Sequence, residues 1–147
     1  MKVLHISTNT HGGAGQAAAR IHAALLKHNH ESFMIVKTNK ASEPKTIQVA
    51  GLNSGFWGRL FDKLLRLVLF REKYLMYSAG LFNRRYGLNM NLNSIGFKPD
   101  VIILHWIAGF VGFGELQELR REFPNARFFW FLMDMAPITA GCHYAWG

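Results

Sequence analysis

The first apolar segment, Val3-Leu4 and Ile6 within Lys2 to Ser7, is short and bounded by polar residues, which predicts a β-strand. A polar, glycine-rich turn follows, and from Gln16 to His28 the positions Ala17, Ala18, Ile21, Ala24 and Leu25 recur at helical spacing. Asn29 suits a left-handed helix stop, and Phe33 to Lys37 reads as a buried second strand, so the chain opens as a βαβ unit. Lys40 to Lys45 is polar and contains a proline, a loop, and Thr46 to Val49 fits a short strand. After a turn at Gly51 to Gly55, Trp57, Leu60, Phe61, Leu64, Leu65 and Val68 mark one face of a helix whose other face carries Arg59, Asp62, Lys63 and Arg66. Tyr74 to Ser94 supports no assignment. Val101 to Leu104 is a continuous apolar run of the kind a central parallel strand needs, because both its faces are covered. A helix from Gly114 to Phe123, with Leu116 and Leu119 inward, and a buried strand from Arg127 to Asp134 complete the pattern.

Strands alternating with helices predict an α/β fold, Rossmann-like, with a mainly parallel sheet and helices on both faces. Ligands of such sheets collect at the carboxyl ends of the strands. That rule selects the loop after Ser7, the segment after Leu104 and the segment after Met133.

Composition narrows the classes. The chain has 147 residues, 50% of them hydrophobic, 14% aromatic and 18% charged, which is a folding composition of single-domain length. The net charge of +8 is concentrated. Arg59, Lys63, Arg66, Arg71, Lys73, Arg84 and Arg85 face only Asp62 and Glu72 between Phe56 and Tyr86. Without an RNP-like aromatic motif or zinc-finger spacing, this pattern speaks against nucleic acid and for an anionic membrane or substrate. A single cysteine, Cys142, excludes an internal disulfide and points to a reducing compartment. The start is too short in apolar residues for a signal-peptide core, and no window approaches the ~18 apolar residues of a spanning helix. A cytoplasmic protein is expected.

In the first loop, Gly12, Gly13 and Gly15 precede a helix, so the backbone can approach a phosphate or carboxylate held by free helix N–H groups; a tight turn without a ligand is the plainer account. Gly13-Ala14-Gly15-Gln16-Ala17-Ala18 also fits the G-x-G-x-x-G/A dinucleotide pattern. The loop starts several residues too early for that fingerprint, however, and the second strand ends in Lys37-Thr38 where an acidic residue would hold a ribose. Lys37 could instead meet a 2′-phosphate, which keeps an NADP-binding oxidoreductase domain as an alternative. At the second place, Trp106 suits stacking on a sugar and His105 a hydroxyl contact, although a core tryptophan beside a hydrogen-bonded histidine fits these residues taken alone better. At the third, Asp134 leads into a small-residue turn and Cys142-His143-Tyr144; a zinc site there lacks ligand number and spacing.

Taken together these segments resemble the family of retaining, two-domain, family-4-like glycosyltransferases that build bacterial polysaccharides. The resemblance rests on Met1-Lys2-Val3-Leu4-His5-Ile6-Ser7, Gly12-Gly13-Ala14, Arg20-Ile21-His22, Ala24-Leu25-Leu26, Lys98-Pro99-Asp100-Val101, His105-Trp106-Ile107 and Gly141-Cys142-His143-Tyr144. It covers both ends of the chain well and Asn39 to Asn93 poorly.

The resemblance implies the N-terminal, acceptor-side lobe of a GT-B fold, facing a C-terminal lobe that holds a nucleotide-sugar. Gly12, Gly13 and Gly15 would then face the donor diphosphate, while His11, His105, Trp106, Thr139 and His143 would line the acceptor and sugar site, with Asp134 catalytic. No metal or cofactor beyond the nucleotide-sugar donor is implied. The acceptor would be a glycan or a lipid-linked sugar.

Met133 departs from the histidine common at that position in the family, and a thioether neither donates a strong hydrogen bond nor takes a proton. Ala136-Pro137-Ile138-Thr139-Ala140-Gly141 likewise departs from the usual Trp-Pro-Phe-Thr-Gly-Gly. The donor lobe with its paired glutamates does not occur before Gly147, so a truncated chain, inactive as an isolated lobe, is expected. The basic stretch from Phe56 to Arg71 would suit peripheral contact with the inner face of a membrane, against the plainer account of a helix packed on the domain with solvated cations. A non-catalytic sugar-binding or membrane-associated module is the remaining alternative, favoured by Met133.

Overall fold

A computed structural model describes residues 1–39, 43–49, 92–93 and 96–132. The elements within them are β1 (Lys2–Asn9), α1 (Gly12–Lys27), β2 (Glu31–Thr38), β3 (Thr46–Gln48), β4 (Val101–Leu104), α2 (Phe113–Glu122) and β5 (Arg127–Trp130). The strands form one sheet in the order β3-β2-β1-β4-β5, and every pairing is parallel. This is a Rossmann-like α/β fold. The amphipathic segment from Phe56 to Arg71 lies outside the described residues, as does everything from Met133 onward.

The register explains why the central strands read as unbroken apolar runs. Leu4 pairs with Phe33 and Ile102, and Ile6 with Ile35 and Leu104, so these side chains share one face. There they join Phe110, Leu119 and Phe123 in the main core, which places α2 on that side. On the other face Met34 and Val36 meet Ala18 and Ala19 of α1. Two covered faces leave no polar alternation to read.

The inward stripe of α1 is small, comprising Gly15, Ala18 and Ala19 before His22. A Cβ on Gly15 would fall 2.7 Å from the Asn9 carbonyl oxygen, so this helix lies close against the end of β1. The sequence pattern starts the helix at Gln16; it starts at Gly12, because three of its first four residues are glycines that apolar periodicity cannot register. Its end matches expectation, with Asn29 at φ 59° and the His30 N–H donating to the Leu25 carbonyl. At the start of α2 the Glu115 carboxylate accepts the Gly112 N–H.

β5 differs from its reading as a buried strand. It closes the described sheet at one edge, and Phe129 is 54% exposed. The apolar run predicted coverage on both sides, which the described residues do not supply.

Candidate functional site

β1 leads through α1 toward β2 on one side, whereas β4 leads through α2 to β5 on the other. The connections diverge at the carboxyl ends of β1 and β4, the place where open parallel sheets bind ligands. Both loops at this rim are built from local necessities.

Following β1, the Ser7 hydroxyl donates to the Asn9 carbonyl at 3.0 Å, and the buried Thr10 hydroxyl donates to Asn39 Oδ1 at 3.2 Å. Gly12 then takes φ +69°, a left-handed value that a side chain would resist. His11, Gly12 and Gly13 are exposed, and neither Gly12 nor Gly13 has an atom within 4 Å of where a Cβ would stand. No side chain caps α1, and its first turn holds no acidic residue. The free N–H groups and positive dipole end of this 16-residue helix therefore face open space, an arrangement that favours an anion.

The loop after β4 is tied across the ends of its neighbours. The Thr8 N–H donates to the Trp106 carbonyl at 2.6 Å, the Thr8 hydroxyl to the Ala108 carbonyl at 3.0 Å, and Lys37 Nζ to the Gly109 carbonyl at 2.7 Å. Ile107 and Phe110 anchor it in the core, leaving Trp106 half-buried at the rim. By register Lys37 falls on the α2 side of β2, away from the start of α1. Its ammonium is thus held by the loop after β4, where a 2′-phosphate would have to compete for it.

Beside the rim an open hollow of about 390 Å³ is lined by Thr10, His11, Gln16, Ala19, Arg20, Ala23 and Glu43. It lies along the flank of α1 and includes His11 but not Trp106. A second hollow, about 460 Å³ around Arg120, Asn125 and Arg127, sits at the amino end of β5. The candidate site is the rim, where α1 starts without a side-chain cap, rather than that opposite end.

Beneath the rim lies a histidine cluster that the sequence reading did not single out. His5 Nδ1 and His105 Nε2 are 2.9 Å apart, with ring centroids separated by 5.2 Å and planes inclined by 23°. At such a nitrogen separation the rings meet edge to edge, as in an N–H···N hydrogen bond. His22 Nε2 donates to the Pro44 carbonyl at 2.8 Å, which leaves Nδ1 to accept the Ser32 hydroxyl at 2.7 Å. Burial, reinforced by His105 and then His22, pushes His5 down to about 3, and burial alone pushes His105 down to about 4. Both stay neutral near pH 7.

His105 was expected to touch a ligand; it is 1% exposed, and its ring is held by His5 in the interior. The chain continues the strand alternation one residue past Leu104, which turns the His105 side chain to the α1 face. Gly12, Gly13, His11 and Trp106 do share the carboxyl rim, while Gly15 serves packing. Asp134, Thr139 and His143 lie outside the described residues. His5 and His22 had one available signal each: a histidine inside an apolar strand, and a histidine four residues after Ala18 on the inward helical stripe.

Among the described residues no group of His, Cys, Asp and Glu is placed to hold a metal ion, and no helix is long and apolar enough to cross a membrane. Fold and rim together define a Rossmann-like α/β domain with an anion-favouring helix start at its switch point. No protein-family model, curated protein or solved structure matches the chain.

Proposed function

We propose that this chain is the acceptor-side lobe of a two-lobed, GT-B type glycosyltransferase that moves a sugar from a nucleotide-sugar to a glycan or lipid-linked acceptor with retention of configuration. The observation that carries the reading is the start of α1, where uncapped N–H groups and two open glycines stand beside the Trp106 loop. In sugar transfer negative charge builds on the departing diphosphate, and backbone donors fixed in advance lower that barrier without needing a metal. A second lobe would supply the nucleotide-sugar site. Trp106 offers a ring for a sugar face, His11 a polar contact at the same rim, and Asp134, Thr139 and His143 are the further contacts that the resemblance implies. Transfer would take place in the cytoplasm, with Phe56 to Arg71 a candidate for peripheral membrane contact.

The engagement of Lys37 by Gly109 favours this reading over NADP binding. The test is a titration of the ¹⁵N-labelled chain with inorganic pyrophosphate and, separately, with NADPH. Saturable shifts at the amides of Gly12, Gly13 and Ala14 with pyrophosphate are expected. Silence at these amides at millimolar pyrophosphate, or tighter binding of NADPH through its nicotinamide half, would overturn the proposal.

A further inference from the structure

The buried histidine pair takes no part in the reading above, and its surroundings are lopsided. His5 stands mid-strand in β1 beneath α1, paired on both sides, with Met34 and Ile103 as its register partners. His105 follows the last paired residue of β4, and beyond it lies the Phe131 ring at 5.6 Å between centroids, itself 44% exposed. One histidine is locked in, and the other is under thin cover.

The groups facing the pair are few. From α1 comes His22, 5.7 Å from the His5 ring, along with the uncharged Gly15, Ala18 and Ala19. By register the same face also carries uncharged residues of β1, β2, β3 and β4, among them Ser7, Ser32, Met34 and Ile103, together with Phe129 of β5 and, at its far end, Arg127. Among these described residues, His22 is the ionisable neighbour, and both its nitrogens are engaged.

Counting protons shows what acid does here. When both rings are neutral, one N–H spans the 2.9 Å gap, and His5 Nε2 and His105 Nδ1 have no hydrogen-bond partner. A first added proton settles on an outer nitrogen and leaves the inter-ring N–H···N bond in place, now charge-assisted, in a site where burial disfavours the charge. A second makes both inner nitrogens donors, facing each other. The pair relieves this by separating, and among the described residues the thinner cover lies over His105, at the 44% exposed Phe131.

We propose that the His5–His105 pair is an acid-operated latch on the loop between β4 and α2: uptake of the second proton breaks the inter-ring bond and sends the His105 ring out past Phe131, loosening the adjoining Trp106 at the rim. The depressed basicity of both rings is the thermodynamic counterpart, since a buried neutral pair resists protons until one member leaves. Because the latch lies under the rim, its failure leaves the proposed sugar-transfer role untouched, and the converse holds too.

Solution NMR of the full chain with ¹⁵N-labelled histidine, titrated from about pH 7 to about pH 3, reads the latch directly. The His105 ring and the Trp106 indole are expected to shift together, while Leu4 and Leu119 resonances stay native. Phe131→Ala thins the cover and should raise the midpoint by about half a pH unit or more, equivalent to a threefold easier opening. His105→Gln keeps a hydrogen-bonding amide but takes no proton, so the Trp106 transition should vanish. The proposal is overturned if His105 titrates near the free-histidine value with Trp106 silent, if core signals disappear together with the Trp106 change, or if His105→Gln retains the transition. Should the glutamine variant not fold, an unmoved midpoint in Phe131→Ala would overturn it equally.

Discussion

Replacing three neighbouring glycines by alanine, one at a time, should give effects of different sign, because each glycine is required for a different reason or for none. At Gly15 the new methyl carbon would stand 2.5 Å from Asn9 Oδ1, 2.7 Å from the Asn9 carbonyl oxygen and 2.8 Å from the Thr10 carbonyl carbon. Two of these are backbone atoms that cannot step aside, so α1 has to lift from β1. Overpacking of this kind costs about 1–3 kcal/mol, against which alanine regains roughly 1 kcal/mol of helix propensity, leaving a net loss of up to about 2 kcal/mol. At Gly12 no atom is near, but φ +69° penalises any side chain by about 1–2 kcal/mol. At Gly13 there is neither crowding nor a left-handed backbone, so alanine should stabilise by up to about 1 kcal/mol. Urea unfolding at neutral pH, with the free energies compared at constant m-value, measures all three. Equal losses at Gly13 and Gly15, or a gain at Gly15, would refute the close packing of α1 on the end of β1.

Acid should destabilise the native state. His5 and His105 have folded values of about 3 and about 4, below the ordinary 6.5, so between these limits the unfolded chain binds more protons. Stability is therefore full above pH 6.5 and lost on acidification, by roughly 2 kcal/mol per histidine at pH 5, with His105 contributing less if its ring leaves first; denaturation across pH, with and without His5→Phe, checks this. His22→Leu removes partners of the buried Ser32 hydroxyl and the Pro44 carbonyl and should cost about 1–3 kcal/mol, while Ser32→Ala on that background should recover part of the loss. Lys37→Met keeps the stem but loses the charge-assisted bond to Gly109, so faster amide exchange in the loop from Ile107 to Gly112 is expected, by about tenfold.

Local patterning disclosed the frame of this molecule, and long-range geometry disclosed the rest. Val101 to Leu104 was legible because a strand covered on both faces must be apolar throughout, and Asn29 because few residue types accept a left-handed backbone. The start of α1 was not legible, since Gly12, Gly13 and Gly15 look like a loop until the closeness of Asn9 explains why one of them must be small. The exposed side chains of β5 escaped notice for the converse reason: apolar content shows that a strand can be buried, and the neighbours decide whether it is. Of the candidate site, the glycines and Trp106 were visible through their place after strands. The pairing of His5 with His105 joins residues about a hundred positions apart, and no spacing rule reaches that far.

The claim on which this account turns is that the open start of α1 receives a diphosphate. Calorimetric titration of a nucleoside diphosphate into the parent chain and into Gly13→Ala, whose added methyl meets no other atom of the protein within 4 Å and stands in the open space at the start of α1, tests it most directly. Binding at least about tenfold weaker in the variant, equivalent to about 1.4 kcal/mol, is predicted. Equal affinity in the two folded proteins would place the ligand elsewhere and contradict the account.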